Sequence, residues 1–126
     1  MTVFVFGNAA LEQDSLPLCI LPELQKKFPQ IEFRALDPNE EWDAPKEMIV
    51  IDTVMGIKDI TVFDGLEQFS AAPRVSLHDF DAYANLRLLS KLDKLKSIKI
   101  IGVPADIDRD NAIRQICAII AKRGSN

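Results

Sequence analysis

The sequence predicts an α/β fold: a three-layer α/β/α sandwich on a mostly parallel sheet with a hairpin insertion. Three observations carry this. Strand-like and helix-like runs alternate from one end of the 126-residue chain to the other, the pattern of a parallel sheet with crossover helices. Residues 48–51 (MIVI) are an unbroken apolar run leading into Asp52, as in a central strand covered on both faces. Residues 60–77 carry no helix-length pattern, so this stretch is expected to add a hairpin and make the sheet mixed.

Each element has a local reason. Residues 2–6 (TVFVF) are β-branched and aromatic, which suits a strand. Gly7-Asn8 ends it, and a loop with Glu12 and Asp14 follows. A helix is expected over 16–28, with Pro17 suited to its first turn and Pro29 closing it. Pro22 inside that run implies a late start or a bend. Residues 31–36 (IEFRAL) alternate as a second strand, and 37–46, with two prolines and four acidic residues, form a loop in which Trp42 caps the core. The third strand is 48–52. Residues 60–63 form a short strand ended by the turn signal Asp64-Gly65. After the weakly patterned 66–73, a further short strand is expected at 74–77, then His78 and an amphipathic helix over 81–91. The last strand is 97–103. Asp106 or Asp108 can cap a final helix whose buried stripe holds Ile113, Ile116, Cys117 and Ile120, with Gly124 past its end.

Composition narrows the classes of function. Length, with no internal repeat or linker, implies a single domain over 1–126. A net charge of −4 without a basic, aromatic-interleaved stripe argues against nucleic acid. Lys91, Lys94, Lys96 and Lys99 read as a solvated face. Cys19 and Cys117 make no metal-binding spacing and sit among Leu and Ile, where a free thiol acts as a small hydrophobe. No basic leader and no membrane-length apolar run are present. The expectation is a cytoplasmic protein with reduced thiols and no membrane insertion.

Three polar residues are expected at the carboxyl edge of the sheet. Asp14 follows strand one, Asp52 ends strand three, and His78 follows a short strand. Strands one and three are neighbours in a doubly wound sheet, and ligands bind at that edge. Two carboxylates and an imidazole suit a divalent transition metal such as nickel or zinc. Each residue also has a plainer use. Asp14 can be a helix N-cap in competition with Ser15, Asp52 can bond the loop after it, and a lone histidine is more often structural.

The order Gly7-Asn8, Asp14, Asp52, Ser76-Leu77-His78 and Ile101-Gly102-Val103-Pro104 resembles the hydrogenase maturation proteases. The resemblance spans essentially the whole chain and rests on order and spacing rather than on any one motif. It implies a phosphorylase/hydrolase-like fold and an endopeptidase that trims the C-terminal extension of a NiFe-hydrogenase large-subunit precursor after nickel insertion. It further implies that Asp14, Asp52 and His78 are both the catalytic and the metal-contacting set, acting on nickel supplied by the precursor. Asp37 is implied in substrate recognition, and the protein is expected to be a monomer.

The chain departs from the family pattern in places. Gln13 precedes Asp14, Ser15 and Pro17 stand where glycines are usual, and Pro38-Asn39-Glu40 follows Asp37. The chain is also short for the family. These departures leave room for a non-proteolytic hydrogenase-assembly binding protein of the same fold. A receiver-type phosphoacceptor domain fits length and pattern, but it needs an acidic pair where Gly7-Asn8 stands and a lysine where Gly102-Val103-Pro104 ends the last strand. A nucleotide-binding reading of Gly7-Asn8-Ala9-Ala10 lacks the spaced glycines and the lysine of a phosphate loop.

Overall fold

The computed structural model describes residues 2–6, 16–36, 47–54, 57–65, 91 and 96–124. Its elements are β1 (Thr2–Phe6), α1 (Leu16–Lys27), β2 (Glu32–Leu36), β3 (Glu47–Val54), β4 (Thr61–Asp64), β5 (Ser97–Pro104) and α2 (Arg109–Gly124). The five strands form one sheet in the order β2-β1-β3-β5-β4. β2, β1, β3 and β5 are parallel, and β4 runs antiparallel on the outer side of β5. The sheet is thus mixed, as the patternless insertion implied. The strand at 74–77, the helix at 81–91 apart from Lys91, and Trp42 lie outside the described residues.

Successive side chains of a strand point to opposite faces, and here both faces are buried. On one, Val3, Val5, Phe33, Ile51, Ile101 and Val103 pack with Ile20 and Leu24 of α1 and Ile116 and Ile120 of α2. On the other, Phe4, Phe6, Met48, Val50, Ile98 and Ile100 are equally closed to solvent. This is the environment that the apolar run at 48–51 calls for. β3 extends two residues beyond its expected end, because β5 stays in register with it as far as Val54↔Pro104.

The helices follow their local signals with two exceptions. Asp108 caps α2: its Oδ2 accepts the Asn111 N–H at 3.1 Å. Gly124 is the last residue of that helix rather than the one beyond it. α1 runs through Pro22 without ending, contrary to a late start. Pro22 is exposed, so the ring and the carbonyl it leaves without an amide partner lie on the solvent side. Cys19 is also exposed, unlike the half-buried Cys117, because α1 turns it away from the sheet. Burial raises the Cys117 thiol above its ordinary range, with Lys27 pulling the other way, so it stays protonated at neutral pH.

The turn from α1 into β2 is held by one side chain. Gln25 Nε2 donates to the carbonyls of Ile31 at 2.7 Å and Phe28 at 3.3 Å, and Gln25 Oε1 accepts the Phe33 N–H at 3.2 Å. Phe28 cannot readily continue the helix before Pro29, and Gln25 replaces the bonds that the backbone loses there. At the sheet's outer margin, Glu32 and Arg34 of β2 pair at 3.4 Å with both side chains exposed, a contact of at most about 1 kcal/mol.

On the far side, Asp64-Gly65 turns as expected, with Gly65 at φ 103° and its N–H on the Ile98 carbonyl at 3.0 Å. The Lys99 ammonium lies 3.6 Å from Asp64 across β4 and β5. Phe63 of β4 lays its ring over Gly102 of β5. A Cβ at Gly102 would stand 2.7 Å from the ring and 3.0 Å from Val54, so the strand needs glycine there.

Two stability predictions follow from these contacts. Gln25→Leu removes the clamp at similar volume and should cost about 1–3 kcal/mol in urea unfolding. Gly102→Ala should cost about 1–3 kcal/mol by overpacking against Phe63. Adding Phe63→Leu should recover part of that loss, and strictly additive effects would exclude the contact as its cause.

Candidate functional site

The strand order reverses between β1 and β3. From β1 the chain passes through α1 to β2 on one side, then returns across β1 to β3 and on toward β5. Such a switch opens a crevice at the carboxyl ends of the two strands, where α/β folds bind ligands. Among the described residues β1 pairs with β3 as far as Val5↔Ile51, and β3 runs on for three residues, Asp52 to Val54, paired to β5. Asp52, Thr53 and Val54 form the carboxyl end, or lip, of β3.

Asp52 is 1% exposed. Its Oδ1 accepts the N–H of Thr53 at 2.9 Å, a bond that fixes the carboxylate's rotamer. It pairs across the strand with Gly102, and the two residues share a face. Because Gly102 has no side chain, the Phe63 ring can settle over it, on the sheet face that carries Asp52. Asp52 is thus a buried acid, oriented by the backbone, at the sheet's switch point.

The other expected site residues, Asp14, His78 and Asp37, lie outside the described residues. α1 begins two residues after Asp14 and packs on the sheet face that carries Ile51. Among the described residues, no group of three His, Cys, Asp or Glu side chains could hold a metal ion.

The site contains two features beyond the expected set. Thr53 is 2% exposed, and its hydroxyl oxygen has no hydrogen-bond partner among the described residues. Gly102, with Phe63, shapes the flank of Asp52. An isolated glycine inside an apolar strand is a sequence signal for close approach. Thr53 gives no such signal, since a β-branched residue in a strand is ordinary. No helix among the described residues is long and apolar enough to cross a membrane.

No family model matches the chain, and no curated protein matches it in sequence. Solved structures do match it in shape. The hydrogenase maturating endopeptidase HybD from E. coli superposes with a TM-score of 0.61 at 15% identity, over 98% of this chain and 94% of that one. An endopeptidase from Escherichia coli solved in solution gives a TM-score of 0.63 at 14% identity, over the same shares of the two chains. At such identities the likeness is one of fold: this chain has the α/β architecture of those endopeptidases along nearly its whole length.

Proposed function

We propose that this protein is a metal-dependent endopeptidase that removes the C-terminal extension of a nickel-loaded NiFe-hydrogenase large-subunit precursor. One observation carries the reading. A buried, oriented aspartate stands at the switch-point crevice of a fold shared end to end with a hydrogenase maturating endopeptidase. The order of Gly7-Asn8, Asp14, Asp52 and His78 in the sequence supports the same reading.

Nickel enters as part of the substrate. The donor chemistry of Asp14, Asp52 and His78 fits it: two hard carboxylate donors and one neutral imidazole nitrogen suit a borderline divalent ion. Asp52 is well prepared as a ligand, since its rotamer is already set by the Thr53 amide, and a carboxylate has lone pairs for several partners. A divalent ion beside the scissile bond polarises the peptide carbonyl. Asp52 and Asp14 hold the substrate's metal, and either can take the proton of the attacking water. His78 completes the grip, and the burial of Asp52 keeps bulk water from its carboxylate. Asp37 contributes to recognition of the precursor.

The sequence Pro38-Asn39-Glu40 after Asp37 favours a second reading, in which the protein binds the precursor or an assembly factor without cutting it. A phosphoacceptor role is disfavoured by the end of β5, where Val103-Pro104 occupies the place of the lysine that such chemistry requires.

The test is incubation with nickel-loaded precursor, with tail removal followed by mass spectrometry. Asp52→Asn should lower the rate by at least about a hundredfold. It should melt close to the parent, because the amide oxygen still accepts the Thr53 N–H. Asp14→Ala and His78→Ala should abolish cleavage, and metal-free precursor should stay intact. Normal processing by all three variants would end the assignment of Asp14, Asp52 and His78 as the metal-contacting and catalytic set. Precursor bound but never cut by the parent protein would establish the second reading.

A further inference from the structure

Gly102 of β5 is paired across the strands with Asp52 and puts no side chain into the space beside it. Two neighbours on the same sheet face close over that space. Phe63 of β4 is in register with Ile100, so its ring reaches Gly102 on the diagonal. A Cβ at position 102 would stand 2.7 Å from Cε2 of that ring, 3.4 Å from its Cδ2 and 3.0 Å from Cγ2 of Val54. Val54 and Phe63 are both buried, and in a close-packed interior one added methyl forces its neighbours off their positions. Val54 also adjoins the peptide unit that orients the acid. The N–H that Asp52 Oδ1 accepts at 2.9 Å belongs to Thr53, the residue between Asp52 and Val54. A push on the Val54 side chain therefore reaches the carboxylate through one residue of main chain.

We propose that Gly102 is a positioning residue for Asp52: its bare Cα lets Val54 and the Phe63 ring close over β5, which fixes the end of β3 and with it the direction of the carboxylate. This role rests on the reading of Asp52 as a contact to the precursor's nickel. Gly102 itself touches neither substrate nor metal in it, and acts through Val54 and the Thr53 amide. Groups that only orient a metal-contacting side chain commonly matter about 10–100-fold for metal affinity or activity.

The full chain is titrated with precursor in its nickel-loaded and metal-free forms, and tail removal is followed in parallel. Gly102→Ala should lose at least about tenfold of the preference for the nickel-loaded form, with binding of the metal-free form unchanged. Cleavage should slow by at least as much. In Gly102→Ala/Phe63→Leu the ring no longer meets the new methyl, and the preference should return to within about threefold of the parent. Val54→Ala removes the methyl that faces Gly102 and should lower the preference about 3–10-fold; it decides the matter if Gly102→Ala does not fold. Ile116→Val, a core change under α2 on the opposite face of the sheet, should leave preference and rate as they are. A folded Gly102→Ala protein with the parental preference overturns the proposal. So does a double variant as impaired as the single one, a Val54→Ala protein with the parental preference, or an equal loss in Ile116→Val. A parent that favours the nickel-loaded form without cutting it fails the protease reading alone, and the preferences still judge Gly102. A parent that does not distinguish the two forms removes the metal role of Asp52 and the role of Gly102 with it.

Discussion

The carboxyl edge of the sheet depends on the pairing of β3 with β5, which runs without a break from Glu47↔Ser97 to Val54↔Pro104. A parallel strand buried on both faces must be apolar, and the run from Met48 to Ile51 meets that demand. The polar pair Asp52-Thr53 follows it and is just as deeply buried. A buried carboxylate needs partners, and the Thr53 amide supplies one that also sets its orientation.

Around that lip, support comes from residues with no polar chemistry. Gly102 gives up a side chain so that Phe63 can lie across β5, which fixes the antiparallel β4 at the sheet's margin. On the opposite flank, Gln25 fastens the end of α1 to the start of β2. That fastening fixes the pitch of α1, whose first turn emerges from the segment that carries Asp14. Both devices hold the walls of the crevice by packing or by bonds to the main chain. Neither depends on the exposed ion pairs, such as Arg109 with Glu23 at 3.9 Å between the helices, which contribute little in water.

Where local chemistry decides the structure, the sequence is readable. The apolar run of β3, the Asp108 cap, the stop at Pro29 and the Asp64-Gly65 turn each act within a few residues, and each is present. Long-range choices are less legible. That β4 lies against β5, and not elsewhere, depends on a contact between Phe63 and Gly102 that periodicity does not encode. Pro22 breaks a local rule and is tolerated because it faces solvent. Cys19 falls in an apolar neighbourhood of the sequence yet on the outer side of its helix. At the candidate site, Asp52 was legible as the polar end of an apolar run. Thr53 was not, since only the lack of a hydroxyl partner among the described residues distinguishes it from any strand threonine.

The pairing of β3 with β5 also governs how the chain comes to be folded. β3's partner lies about fifty residues downstream, a separation that slows the search for native contacts. During synthesis β5 must leave the ribosome before this apolar segment can gain its long partner. A nascent chain stalled ahead of β5 would present a sticky, half-paired ribbon to its surroundings, the kind of edge through which unfinished sheets aggregate.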